Sequence, residues 1–228
     1  MRKAAKAEEL PGRRTGRTRA SILRVSRDLF NARGVERVTT RLIADTAGIN
    51  EGNLYYYFRT KESLYTALFG AFEAEAAGLA APRGTERADL SAHVEGLRRW
   101  FVLTWRYRFL FQDTMALQAA APALRPRLRR LSVRLQAETR RSLADLAEAG
   151  LVRILPGADE ALLANVWIVS SYWISYLVLH RNLRSVREKD LLWGYGQVLS
   201  LYLPHLTETA LVALAALPAP SFAIEPES

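Results

Sequence analysis

The sequence predicts an all-α protein of about nine helices. Apolar residues recur at helical spacing along most of the 228 residues, glycines and prolines separate the periodic segments, and no segment alternates apolar and polar residues as a half-buried strand would. Half of the residues are hydrophobic, which provides for a substantial core. The expected regions are a flexible basic arm over 1–16, a three-helix domain over 17–62, a larger helical domain over 63–216 and a disordered tail over 217–228.

The small N-terminal domain is predicted to contain three helices. Gly34 and Gly48 end the first two periodic segments. Thr39 or Thr40 is expected to cap the second helix and Asn50 the third, because their side-chain oxygens accept hydrogen bonds from free N–H groups of the first turn. The three helices are expected over 18–33, 40–47 and 51–57. Short helices joined by a tight glycine-containing turn form a helix-turn-helix.

Longer helices are predicted for the rest of the chain. Their apolar residues keep the helical period, and Pro82 with Gly84, Pro122, Gly150 and Pro156 mark the breaks between them. The expected helices run from about Thr60 through Ala76, and then over 90–105, 108–120, 126–149, 159–182 and 187–216.

Residues 161–180 raise the question of a membrane span. The segment has twenty residues without a formal charge, which is just long enough to cross a bilayer. It also contains Asn165, three serines and His180, and the chain has no second segment of this kind. We favour a helix buried between the subunit core and a dimer partner, because a helix that is apolar on all sides belongs in a core or an interface.

Positive charge is concentrated in the first quarter of the chain. Residues 1–60 hold 13 Lys and Arg against 6 Asp and Glu, whereas the remaining 168 residues hold 19 against 17. Such a basic module suits a polyanion partner such as nucleic acid, whose phosphates it neutralises. A solvated basic tail is the alternative, since basic termini are common.

Several function classes are poorly supported. The chain has no cysteine, so disulfides, thiol catalysis and thiolate metal ligation are excluded, and a reducing cytoplasm is the expected location. His93, His180 and His205 have no metal-ligand spacing, and no nucleophile motif or phosphate-binding glycine loop appears. The basic N-terminus runs into no apolar segment of secretory type. We therefore expect no enzyme, no catalytic residue, no metal and no cofactor.

One stretch carries the functional prediction. The sequence TTRLIADTAGINEGNLYYYFRTKESL, which begins at Thr39, closely resembles the DNA-binding half of the tetracycline-repressor (TetR/AcrR) family, and the resemblance covers residues 18 to 68. It implies a transcriptional regulator that binds a double-stranded DNA operator. The positions expected to lock its helices together are apolar or small: Ile43, Ala44, Ala47, Ile49, Leu54 and Phe58.

The three consecutive tyrosines do not fit the pattern of buried core residues. Tyr55, Tyr56 and Tyr57 lie about 100° apart on a helix, so they cannot all be buried on one face of so small a unit. An exposed tyrosine donates to phosphate oxygens, which positions the protein without reading sequence. The resemblance implies backbone or base contacts for Tyr55 and Tyr56. The position of Tyr57 is often histidine in the family, so its role is open.

The resemblance also implies phosphate contacts from Thr40 and Lys61, aided by free N–H groups at the helix termini. Arg41 is the candidate for bidentate recognition of guanine, Glu51 for accepting from cytosine, and Asn53 for pairing with adenine or holding a phosphate. Gly52 permits close approach. A solvated surface pair is the alternative for Arg41 and Glu51. The N-terminal arginines that can reach a minor groove, or remain a mobile tail, are Arg13, Arg14, Arg17 and Arg19.

The larger domain is expected to dimerise, because one helix-turn-helix buries too little DNA surface for secure specificity and such proteins bind paired half-sites. The last two helices resemble the pair that forms the family's dimer interface, and Gly194, Gly196 and Ser200 permit close helix contact. The candidate interface residues, several of which are alternatively plain core, are Trp173, Tyr176, Leu177, Tyr195, Leu199 and Tyr202.

The same domain is expected to bind a small apolar or amphipathic molecule. Aromatic residues crowd helices five and six, either as a mostly apolar pocket or as ordinary core. Arg106 or Arg108 is placed to attract an acidic head group. The candidate pocket residues are Trp100, Trp105, Tyr107, Phe111, Met115, Gln118, Trp167 and Tyr172.

The implied mechanism is a two-state shift in which ligand binding favours a conformation with the DNA modules out of operator spacing, so that a dimeric repressor is released from a palindromic operator. A ligand-independent regulator or activator of the same fold is the main alternative.

Overall fold

The computed structural model describes residues 11–79, 89–112, 114–181 and 186–222. These residues form eleven α-helices and one 3₁₀ turn, and within them the only β-type pairing is an isolated bridge between Val152 and Leu206. The all-α prediction is confirmed. The helices are α1 Pro11–Arg33, α2 Thr40–Thr46, α3 Glu51–Tyr57, α4 Lys61–Leu79, α5 Leu90–Arg106, α6 Phe109–Gln112, α7 Thr114–Ala120, α8 Leu124–Glu148, α9 Asp159–His180, α10 Glu188–Tyr202 and α11 Glu208–Ala215, with the 3₁₀ turn over Leu203–His205.

The helix count differs from prediction at two places. The segment expected over 187–216 is interrupted by the 3₁₀ turn that contains Pro204, because proline lacks the N–H that a continuing helix needs. Thr207 then caps α11 by accepting from the N–H of Ala210. The segment expected over 108–120 is divided into α6 and α7, and residue 113 between them lies outside the described residues.

The chain divides into two compact units, Met1–Leu68 and Phe69–Ser228, so the division falls six residues after the expected position 62. In the first unit, side chains from four helices meet in one core. Tyr65 of α4 belongs to it, with its ring centroid 5.1 Å from that of Phe30. The buried residues of this core include Ile22, Phe30, Ile43, Leu54, Phe58, Leu64 and Tyr65.

The turns of the first unit follow the predicted chemistry. Thr39 accepts from the N–H of Leu42 and caps α2, while Asn50 accepts from the N–H of Asn53 at 2.7 Å and caps α3. Gly48 has φ +68°, a left-handed conformation that glycine adopts without strain. The predicted second and third helices and the turn between them are therefore confirmed.

The first helix begins earlier than predicted. It starts at Pro11, because a proline needs no N–H partner in the first turn, and it continues through Gly16. Residues 11–16 of the expected flexible arm are therefore helical, whereas residues 1–10 lie outside the described residues.

The second unit is built around contacts between α5, α9 and α10. The rings of Phe101 and Trp173 lie 5.6 Å apart, and both side chains are buried. Gly194 faces them so closely that a Cβ atom there would lie 2.7 Å from Trp173 and 3.0 Å from Phe101. The absence of a side chain at this glycine therefore allows α10 to approach α9.

A half-buried polar pair joins α5 to α8. Nδ1 of His93 and Oγ of Ser142 are hydrogen-bonded at 2.8 Å, and the imidazole packs edge-on against the ring of Tyr202. Burial lowers the pKa of His93 from 6.5 to about 4 and raises the pKa of Tyr202. His93 is thus neutral at pH 7.

The end of the chain is packed in part. Phe222 is 1% exposed and its ring lies 5.7 Å from that of Tyr195, while Arg98 donates to the carbonyl oxygen of Ser221 at 3.0 Å. The prediction of a disordered tail from residue 217 is wrong for residues 221 and 222. Residues 223–228 lie outside the described residues.

Helix α9 is long and apolar enough to cross a membrane by length and composition. One of its faces packs into the second unit, where Trp173, Ile174 and Leu177 are buried. Its other face is exposed in the single chain, with Ile168, Tyr172, Tyr176 and Leu179 along it. The helix is thus buried on one side only.

Candidate nucleic-acid interface

The polar surface of α2 and α3 lies opposite their buried residues. On α2, Ile43 and Ala44 face the core, whereas the side chain of Arg41 is 82% exposed. Among the described residues, the carboxylate that lies within 4.0 Å of Arg41 is that of Asp45, so Arg41 does not form the surface pair with Glu51 that was the alternative. The guanidinium is available for a partner outside the chain.

A hydrogen-bonded group joins the first turns of α2 and α3. Thr40 Oγ1 donates to Glu51 Oε1 at 2.8 Å and lies 3.3 Å from the hydroxyl of Tyr55. Thr40 and Glu51 are half-buried, and Tyr55 is 45% exposed. Three of the predicted contact residues are therefore brought together in the folded protein.

The remaining predicted positions on α3 are mostly exposed. Leu54 points into the core and leaves Gly52 and Asn53 on the outer side. Tyr56 is 76% exposed and meets the half-buried Tyr57 edge-on, with 5.2 Å between the ring centroids. The expectation that some tyrosines reach outward is confirmed.

Lys61 begins α4 in a partly buried position. Its ammonium lies 5.9 Å from the centroid of the Tyr65 ring, one helical turn later. Burial lowers the pKa of Lys61, and the negative charge of Glu36 opposes this. The contribution of Tyr65 and Glu36 was not predicted, although the spacing of Lys61 and Tyr65 by four residues is the signal that two helical side chains are neighbours.

Arg19 lies on α1, within the helix expected over 18–33. Its guanidinium lies over the ring of Phe58 at 5.2 Å from the centroid. Arg17 is also exposed on α1. The side chains of Arg13 and Arg14 lie outside the described residues, so their predicted minor-groove contact stays a prediction.

Two models of known protein families match this chain. The family model described as "Bacterial regulatory proteins, tetR family" matches residues 22–68, and the model TetR, described as "Bacterial transcriptional repressor", matches residues 71–214. The second model alone covers more than half of the chain. The chain belongs to the TetR family of bacterial transcriptional regulators.

Individual relatives agree with this membership. The tetracycline repressor protein class A from transposon 1721 of Escherichia coli is 36% identical over 66 residues, 29% of this chain and 31% of that protein. The HTH-type transcriptional repressor KstR2 of Rhodococcus jostii is 41% identical over 54 residues, 24% of this chain and 26% of that protein. The chain thus matches less than a third of the length of these curated relatives.

A solved structure extends the likeness to the second unit. The crystal structure of a TetR-family transcriptional regulator from Marinobacter aquaeolei is 32% identical, covers 87% of this chain and 96% of that chain, and has a TM-score of 0.78. Membership of a family of transcriptional regulators agrees with the expectation that the chain is not an enzyme.

In this TetR-family chain, four of the predicted pocket residues form one aromatic cluster. The ring of Trp100 lies 6.0 Å from that of Trp167 and 6.1 Å from those of Phe111 and Phe72, and Tyr107 joins the cluster through Phe72. Phe72 was not among the predicted pocket residues. The Nε1 atom of Trp100 is buried and has no hydrogen-bond partner among the residues that the structure describes.

The other predicted pocket residues differ from this cluster in their exposure and contacts. Tyr172 is 54% exposed on the outer face of α9, so its assignment to an enclosed pocket is wrong. Trp105 is buried under the guanidinium of Arg108, and Gln118 is half-buried. Arg106 is paired with Glu75 at 2.6 Å. The side chain of Met115 lies outside the described residues.

Most of the predicted dimer-interface residues face inward. Trp173, Leu177, Tyr195 and Tyr202 are all buried within the subunit, so they cannot supply an outer surface and that assignment is wrong. Leu199 is half-buried and Tyr176 is 47% exposed. The sequence does not distinguish the buried face of α9 from its exposed face, because both faces are apolar.

Proposed function

We propose that this chain is a sequence-specific transcriptional repressor of the cytoplasm that binds a palindromic DNA operator as a homodimer and is released by a small apolar or amphipathic ligand. The observation that carries the DNA-binding half is the exposed guanidinium of Arg41 beside the polar first turn of α3. The excess of basic residues in the first 60 positions supports the same assignment.

Within this proposal, some residues recognise bases of the operator and others contact the DNA backbone. Arg41 reads guanine through two parallel hydrogen bonds, and Asn53 reads adenine or holds a phosphate. Thr40, Tyr55, Tyr56 and Lys61 contact the DNA backbone. Glu51 reads cytosine when its carboxylate leaves Thr40, Gly52 allows α3 to come close to the DNA, and the role of Tyr57 stays open.

The proposed dimer surface is the exposed apolar face of α9 and α10. Ile168, Tyr172, Tyr176 and Leu179 fall within one stripe of α9, since residues three, four, seven or eight apart share a helix face. On α10, Leu192 is 42% exposed, and a Cβ atom at Gly196 would meet nothing within 4 Å. A second copy covering these faces would account for the apolar exposure.

The proposed ligand site is the aromatic cluster around Trp100. A buried N–H without a partner costs about 1–3 kcal/mol, which a ligand with a hydrogen-bond acceptor would offset. The rings of Phe72, Phe111 and Trp167 surround Trp100 and would pack against such a ligand. A planar molecule that carries a carbonyl or hydroxyl oxygen fits this description.

The experiment that tests the proposal is footprinting of the purified protein on the genome of its source, followed by binding measurements with the protected sites. We expect palindromic sites whose occupancy falls when planar apolar compounds are added. Sites that stay occupied with every compound, or transcription that rises when the protein binds, would favour the ligand-independent regulator or activator. A protein without any preferred sites would contradict the proposal.

A further inference from the structure

The first half of α8 carries a local concentration of arginines. Residues 124–137 contain five arginines and no acidic residue, whereas the rest of the chain from residue 69 onward contains 13 basic and 16 acidic residues. The second unit is thus slightly negative except for this segment. A charge distribution of this kind is a feature of surfaces that bind polyanions.

Four of the five arginines are exposed, and we call them the α8 arginine stripe: Arg125, Arg129, Arg130 and Arg134. Among the described residues, none supplies a carboxylate to any of these four within 4.0 Å. Arg140 and Arg141 on the second half of the same helix differ, because they are paired with Asp159 at 2.9 Å and Glu138 at 2.8 Å. The stripe is therefore uncompensated while the rest of the helix is neutralised.

The fifth arginine fixes the stripe in place. Arg127 points inward, where it pairs with Glu73 at 2.6 Å and its guanidinium lies over the ring of Phe69, 4.9 Å from the centroid. The first half of α8 is thereby held against the residues that begin the second unit. The exposed arginines project from a fixed helix and not from a loop.

We propose that the α8 arginine stripe is a second DNA-binding surface, which contacts phosphates of the duplex flanking the operator. This inference rests on the proposed function. Guanidinium groups suit phosphate oxygens because they donate two parallel hydrogen bonds and stay charged at any physiological pH. The stripe adds affinity and salt dependence without sequence preference, since phosphate contacts carry no sequence information.

The test uses a duplex selected by the wild-type protein from a random pool, prepared in two lengths. The short form is trimmed to the region that the variant R125Q/R129Q/R130Q/R134Q protects, and the long form adds roughly ten base pairs, one helical turn, on each side. The matched control is R140Q/R141Q, which removes paired arginines from the same helix. Thermal melting establishes that all three proteins are folded.

We expect the wild type and the control to bind the long duplex more tightly than the short one. Their salt dependence on the long duplex should be steeper by roughly 0.9 in log–log slope for each added phosphate contact. The quadruple variant should bind both lengths alike, with the short duplex bound as the wild type binds it.

Three results would overturn the inference alone. Identical binding of both lengths by the wild type would remove the flanking contact, and an equal loss on both lengths in the quadruple variant would place the arginines within the operator contact. If the quadruple variant lost the binding of the wild type to phosphatidylserine-containing vesicles and kept its DNA binding unchanged, the stripe would be assigned to a membrane surface. A wild-type protein that selects no duplex at all would overturn the proposed function and this inference with it.

Discussion

The hydroxyl of Thr40 donates to the carboxylate of Glu51 at 2.8 Å and links the first residue of α2 to the first residue of α3. A phosphate that accepts from Thr40 must therefore displace a charged acceptor that is already in place. Binding to DNA thus exchanges a hydrogen bond within the free protein for one to a phosphate oxygen.

Replacement of Thr40 by valine should weaken binding to operator and random DNA alike, by about 1 kcal/mol, because it removes one donor to the backbone and reads no base. Thr40→Ser, which keeps the hydroxyl, should bind as the wild type does. Fluorescence anisotropy with both DNA types measures the effect. A loss confined to the operator would instead assign Thr40 to base recognition.

Arg41→Ala should relax base preference at one position of each half-site. A bidentate contact to guanine discriminates by about 1–3 kcal/mol, so binding to the operator should fall by that amount while binding to random DNA changes much less. Competition between the operator and single-base variants measures this. Equal losses on specific and random DNA would show that Arg41 contacts only the backbone.

Lys61→Ala should weaken binding to all sequences and lower the log–log salt slope by about one, the value for one lost phosphate contact. Arg153 is exposed on the second unit and serves as a control, since Arg153→Ala removes the same charge away from the proposed interface. Titrations at several salt concentrations distinguish the two. An unchanged slope in Lys61→Ala would remove this residue from the interface.

A negative charge on the exposed face of α9 should prevent dimerisation. Tyr172→Glu combined with Leu179→Glu would bring two carboxylates into an apolar interface, where unpaired charges are costly. Leu155→Glu is the matched control, because Leu155 is 72% exposed outside that face. Analytical ultracentrifugation should show a monomer for the first variant and a dimer for the control and the wild type. A dimeric double variant would place the interface elsewhere.

His93 should make the protein less stable in acid. Its pKa is about 4 when folded and 6.5 in the unfolded chain, so between these values the unfolded chain binds the additional proton. The free energy of unfolding should therefore lose roughly 3 kcal/mol as the pH falls from about 6.5 to about 4. Denaturant titrations at several pH values should show a shallower loss for His93→Gln, which does not titrate; a parallel loss in both proteins would exclude His93 as the cause.

The first unit was largely predictable because its local signals agree with one another. Asn50 and Gly48 are a cap and a turn residue at the ends of short apolar segments, and three adjacent tyrosines require outward positions. The link between Thr40 and Glu51 was not predictable, since residues eleven positions apart meet only through the packing of two helices.

The second unit was predictable in its helices but not in its surfaces. Trp173 and Tyr172 are neighbours in a helix that is apolar on all sides, and the packing of α5 and α10 against α9 decides that the first is buried and the second exposed. Phe222 follows a proline-containing segment that is typical of disorder, yet its ring meets Tyr195. Contacts between residues distant in the chain determined both outcomes.

At position 194 of the second unit, glycine is the residue that fits without displacing neighbouring side chains. Even the methyl group of alanine would overlap the indole of Trp173, and moving that indole would press on Phe101. Since both rings are in the core, no flexible side-chain end is available to yield. The packing of the subunit therefore limits residue 194 to glycine, whereas it sets no such limit on an exposed position of α9 such as Tyr172.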